Sequence, residues 1–201
     1  TNVMGTSKLM GERLISAANV GCNGQKTIFT STRFGNVLGS RGSVVPIFRE
    51  QIKKGGPVTL TDRGMTRFIM GVRDAVRLVI DSALLARGGE VLVTKMPSIR
   101  ISDLAELMVK ELAPRFGHDP DDVAINSIGC KPGEKLYEEL MTSEEVRRTL
   151  ELERYFVIRP AFSSYYCQQE TGYPGVVAPR VTSPYNSETD TPLSLDRMRH
   201  F

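Results

Sequence analysis

With three cysteines and two histidines in 201 residues, the chain has too few metal- and disulfide-forming groups for either framework. Cys22, Cys130 and Cys167 are odd in number and widely spaced, and only His118 and His200 could accompany them. This argues against a disulfide framework or a zinc site and fits a reducing, cytoplasmic compartment. There is no run of five or six like charges, and the formal net charge is only +3, so nothing marks the chain for nucleic acid. Apolar stretches fall well short of the roughly 20 residues of a membrane span, and no signal-peptide pattern begins the chain. What is present is a globular composition, 40% hydrophobic, long enough to bury a core.

The spacing of apolar residues predicts helices over residues 4–20, 44–54, 74–86, 102–112, 134–140, 143–150 and 193–201. Ser102 reads as an N-cap. In the 74–86 helix, Val76, Val79, Ile80 and Ala83 share the apolar side. Residues 26–33, 58–61, 67–71, 90–94 and 123–128 read as strands or extended segments. From 161 to 191 the sequence turns to Ser, Tyr, Gln, Gly, Pro and Thr without a period, which reads as a loop-rich tail. Alternating helices and strands point to an α/β fold, but two long apolar strands, 26–33 and 90–94, make an incomplete parallel sheet.

Four constellations could carry chemistry. Met4 and Lys8 stand four residues apart on the first helix and therefore share a face. The run from Ser31 to Ser43 leaves a strand and enters a helix with glycines at 35, 39 and 42; such a loop lets main chain approach a ligand, and equally serves as a plain crossover. Asn36 adds an amide able to orient a sugar or phosphate. Arg67, embedded in Met65-Thr66-Arg67-Phe68-Ile69-Met70, offers a planar fork of donors suited to a diphosphate, although alone it reads more readily as a snorkelling surface arginine. Lys131-Pro132-Gly133-Glu134-Lys135 supplies a turn with cations and a carboxylate; by itself it is a common structural turn.

In order, MGTSK, RFGNVLGSRGSVVP, GGPVTLTD, MTRFIM and KPGEKLYEEL resemble the nucleotide-sugar branch of the extended short-chain dehydrogenase/reductases. Within it the series looks most like the UDP-N-acetylglucosamine 4,6-dehydratases of capsule, O-antigen and flagellin-sugar biosynthesis. The resemblance covers about residues 1–160. It implies the C-terminal part of a Rossmann-type enzyme, with a partial NAD(P)-binding core and a small α/β substrate-binding subdomain interleaved over 1–160, followed by a tail over 161–201 that ends in a short helix.

The resemblance also implies roles. Lys8 matches the lysine on the nicotinamide ribose, and Phe34, Gly35 and Val37 match positions beside the cofactor, NAD or NADP. Asn36 and Arg41 match contacts to the UDP-sugar, Thr59 and Thr61 the uracil slot, Arg67 the diphosphate arginine, and Lys131 and Glu134 the phosphate and ribose contacts. Met4 takes the place of a catalytic tyrosine; a thioether has no ionisable proton, so it cannot act as a base. The family passes hydride from sugar C4 to the dinucleotide, eliminates water across C5 and C6, and returns hydride at C6. Its glycine fingerprint and acid/base pair precede the lysine motif, so the chain reads as the back half of an enzyme, inactive by itself. The parent is expected to be a homo-oligomer, with membrane attachment open through a preceding region. Sibling chemistries are 4-epimerisation, dehydration with inversion at C5, and a non-catalytic UDP-sugar-binding domain.

Overall fold

The computed structural model describes residues 3–21, 27–40, 42–130, 132–161 and 172–200. The chain divides into two compact units, each threaded by three stretches: Thr1–Phe34, Arg73–Lys95 and Glu139–Tyr185 in the first, Gly35–Val72, Met96–Glu138 and Asn186–Phe201 in the second.

The first unit contains the helix α1 (Val3–Gly21), the strand β1 (Ser31–Arg33) and a five-stranded sheet. In chain order β2 (Asn36–Val37), β3 (Val58–Leu60), β4 (Thr66–Met70), β5 (Val91–Thr94), β6 (Ser98–Arg100), β7 (Ile125–Ser127), β8 (Glu139–Met141), β9 (Thr149–Leu152), β10 (Tyr155–Ile158) and β11 (Val176–Ala178) follow. The sheet order is β1-β5-β10-β9-β11. Only β1 and β5 are parallel, with Ser31 opposite Val91; β5 with β10, β10 with β9 and β9 with β11 are antiparallel. The period of two along β5 explains its central place. Leu92 packs on one face with Leu78 and Val157, while Val91 and Val93 pack on the other with Phe156 and Ile158. Both faces are dry, so β5 reads as a continuous apolar run.

Several expectations are corrected here. Of the expected 26–33 strand, Lys26 lies outside the described residues, and among the rest only Ser31 to Arg33 find partners on β5, as β1. The incomplete parallel sheet is instead a mixed one. It is completed by β9, which starts inside the expected 143–150 helix, by β10, for which no element was expected, and by β11, which falls in the expected loop-rich tail. That helix, α5 (Ser143–Val146), is short and held by a capping box between Thr142 and Glu145. The helix α3 (Val72–Leu85) forms, yet Val76, Val79 and Ile80 are more than half exposed, and Leu78 and Ser82 are the buried pair.

The second unit packs α2 (Val44–Lys53) against α4 (Ile101–Leu112) over β3. Phe48 and Ile52, four apart on α2, join Val58 and Leu60, two apart on β3, in one core. Gly55 and Gly56, at φ +85° and +91°, stop α2 in a backbone conformation that side chains disfavour. β3 pairs in parallel with β7, and the three-stranded sheet runs β2-β4-β6. The helix α6 (Leu195–Arg199), capped by Ser194, adds Met198 to the core. Ser102 is no cap: Arg100 occupies that place, and the buried Ser102 hydroxyl donates to the Arg63 carbonyl at 3.1 Å. The 134–140 helix is absent, because the carbonyls of Lys135 and Leu136 are engaged by β4.

α1 is fastened less by apolar packing than by charge. Leu9, Met10 and Leu14 are exposed, whereas Glu12 receives Arg33 Nε and Nη2 at 2.6 and 2.7 Å. Arg33 also donates to both oxygens of Glu145, at 2.9 and 2.8 Å, and to the Leu140 carbonyl at 2.8 Å, so all five of its N–H groups are used. Burial opposes the charge on Arg33, but the two carboxylates outweigh it and raise its pKa. For Glu145 burial likewise opposes ionisation, and the bonds from Arg33 and Thr142 prevail, lowering its pKa. A lowered carboxylate pKa contributes stability that is present above the unfolded value of about 4.3 and is lost as pH falls through the folded value. Glu145→Gln is therefore expected to cost about 2 kcal/mol at pH 7. In urea titrations the gap between the native chain and the variant should close as the pH drops below about 4; a gap independent of pH would contradict the charge assignment.

Candidate functional site

In the second unit, the strand β4 and the 134–138 segment draw together Asn36, Thr61, Arg67 and Glu134, four of the polar residues singled out by sequence. Arg67 lies on β4 and is half-buried. Its Nη1 donates to the carbonyls of Thr66 and Leu136 at 2.7 and 3.0 Å, and its Nη2 to that of Lys135 at 2.7 Å. Three of five donors thus brace main chain, leaving Nε–H and one N–H of Nη2. Among the described residues no carboxylate lies within ion-pair distance of it. Burial pushes its pKa down, against the more distant pull of Glu138 and Glu134. Arg67 is thus a cation short of an anion.

Thr61 donates its hydroxyl to Glu134 Oε1 at 3.1 Å, so these two predicted residues meet on the surface. Thr59 projects outward between the buried Val58 and Leu60, and there Gln51 acts as a substitute strand. Gln51 Nε2 donates to the Thr59 hydroxyl at 2.7 Å, and Gln51 Oε1 accepts the Thr59 N–H at 3.0 Å. That N–H is already engaged, which leaves the carbonyl of Thr59 as its outward main-chain group.

Gly35 is close-packed. A Cβ there would sit 2.6 Å from Phe68 Cβ and 2.7 Å from Phe68 O, and its N–H points to Met96 Sδ at 3.3 Å. Val37 pairs with Met70, and Asn36 with Ile69, in the parallel ladder of β2 on β4. Asn36 donates its amide to Phe68 O at 3.1 Å and to Glu138 Oε1 at 3.0 Å. Met4, Lys8 and Phe34 belong to the first unit; Met4 and Lys8 lie exposed one turn apart on α1, and Phe34 is 40% exposed. Arg41 and Lys131 lie outside the described residues.

Sequence reasoning missed Gln51, Glu138 and Ser187. Glu138 was visible only as one of two adjacent acids in a stretch read as helical. A separate cleft of about 440 Å³, lined by Leu38, Val45, Leu107, Met108 and Met198, contains none of the predicted polar residues. No helix among the described residues is long and apolar enough to cross a membrane.

A family model described as polysaccharide biosynthesis protein matches residues 1–160. The chain belongs to the polysaccharide biosynthesis protein family. Among its relatives, an uncharacterized membrane protein of Methanocaldococcus jannaschii is 55% identical over 79% of this chain and 48% of its own length. The UDP-N-acetylglucosamine 4,6-dehydratase (inverting) of Campylobacter jejuni subsp. jejuni serotype O:2 is 39% identical over 80% of this chain and 45% of its own length. The solved structure of Pen from Bacillus thuringiensis superposes with a TM-score of 0.85 at 38% identity, covering 98% of this chain and 55% of that one. This family member therefore spans about half the length of these relatives. The expected α/β fold class holds.

In this member of the polysaccharide biosynthesis family, Gly35 serves close packing of β2 on the main chain of Phe68. Gly35→Ala should force that contact apart and lower unfolding stability by about 1–3 kcal/mol. Thermal and urea denaturation check this, and an unchanged midpoint would show that the contact yields freely.

Proposed function

We propose that the chain is the nucleotide-sugar-handling part of a UDP-sugar-modifying enzyme, a 4,6-dehydratase acting on UDP-N-acetylglucosamine in polysaccharide biosynthesis. The observation that carries the reading is Arg67. Among the described residues it is a half-buried guanidinium with no ion pair and two N–H groups to spare, in the same unit as Asn36, Thr59, Thr61 and Glu134. A diphosphate is an anion of matching planar geometry. Glu134, an exposed carboxylate reached by Thr61, is suited to the paired hydroxyls of a ribose. In this reading Arg41 and Lys131 add positive charge at the phosphates.

The redox partner in the proposal is NAD or NADP, which when bound accepts and returns hydride. Lys8 fits it as an exposed ammonium able to donate to ribose hydroxyls; the family motif also assigns Phe34, Gly35 and Val37 to the cofactor. Gly35 has little room for this, since its Cα face is filled by Phe68. Met4 holds and moves no proton, so this chain's residues bind and orient, and the proton transfers are assigned to none of them. Inversion at C5 is the second reading, favoured by the inverting character of the Campylobacter jejuni relative; NMR of the product of a full-length enzyme separates it from retention.

Calorimetry on the 201-residue chain tests the proposal. UDP should bind, and Arg67→Ala should weaken it by about 2 kcal/mol, roughly thirtyfold. The sequence holds no G-x-x-G-x-x-G turn between strand and helix, so NAD and NADP should bind weakly at most. Unchanged UDP affinity in a folded variant would refute the role of Arg67.

A further inference from the structure

Asn36 has two amide hydrogens, and both are used within the second unit, one on Phe68 O and one on Glu138 Oε1. Exchanging nitrogen and oxygen would set a carbonyl oxygen against another carbonyl and a carboxylate, so the partners dictate the orientation. Glu138 is held in turn. Its Oε2 accepts the Phe68 N–H at 2.9 Å, and its own N–H donates to Ser187 Oγ at 2.9 Å. Ser187, fully buried, donates to the Thr66 carbonyl at 3.2 Å. Asn36 itself is exposed, and its Oδ1 has no hydrogen-bond partner among the described residues.

We propose that Glu138 is a positioning residue that locks Asn36 as a hydrogen-bond acceptor, so that Asn36 recognises a donor on the sugar, a hydroxyl or an amide N–H. This rests on the nucleotide-sugar reading above. Phosphate oxygens of a diphosphate only accept, and an amide oxygen facing them repels. The diphosphate is therefore left to Arg67, and Asn36 discriminates among sugars.

Glu138→Gln tests the lock, because glutamine offers one acceptor and one donor where Phe68 N–H and Asn36 Nδ2 require two acceptors. The 201-residue chain is titrated with UDP and with UDP-N-acetylglucosamine. The native chain should prefer the sugar nucleotide. In Glu138→Gln that preference should fall roughly five- to tenfold, with UDP affinity changed less than about twofold. The Asn36 side-chain amide signals in a nitrogen-15 spectrum should also move toward those of a freely exposed asparagine. Asn36→Ala, at an exposed position, should show the same loss of preference and decides the matter if Glu138→Gln does not fold. An unchanged preference, or equal loss for both ligands, overturns the inference and leaves the nucleotide-sugar reading standing. Binding of neither ligand by the native chain removes that reading and the inference together.

Discussion

Glu138 accepts hydrogen bonds from the main chain of β4 and from Asn36 at once, and through its own N–H it ties the 134–138 segment to Ser187. A carboxylate is suited to this because both oxygens accept and neither donates. The Ser187 hydroxyl carries the arrangement to Thr66, and from the other side Arg67 grips the carbonyls of 135 and 136. The result is an irregular segment held jointly by side chains and by the main-chain N–H groups of Thr66 and Ser187. It holds Glu134 on the surface without a helix beneath it.

Two arginines show how the same side chain serves opposite ends. Arg33 is closed: two carboxylates and a carbonyl take every donor, and the cation fastens α1 to the first unit. Arg67 is open: three carbonyls accept from it, no ion pair is made among the described residues, and burial still weighs against the charge. Neutral carbonyls fix a guanidinium in place without neutralising it. In the proposed function, a cation so prepared is what meets the diphosphate.

The α/β class, α2, β3, β4, β5 and the terminal α6 were legible in the sequence, because each carries a clean period or cap. Phe48 and Ile52 mark a helix face, and Val58 and Leu60 a strand face. The misreadings share a cause. The 134–140 helix failed because its carbonyls answer to Arg67 and Thr66, some 70 positions away, which no local pattern records. The 143–150 helix was cut short because β9 pairs with β10, which in turn pairs with β5. Ser102 has the chemistry of a cap but faces Arg63. At the candidate site, Asn36, Arg67, Thr61 and Glu134 were legible as residue types. Glu138 and Gln51 were not, since their importance lies in the partners they orient.

The central claim is that the second unit of this family member takes the UDP portion of a sugar nucleotide around Arg67. Hydrogen–deuterium exchange of the chain with and without UDP tests it most directly. The account predicts slowed exchange concentrated in residues 58–61, 66–70 and 134–138. Unchanged exchange there at saturating UDP, or protection confined to α1 and the five-stranded sheet, would contradict it.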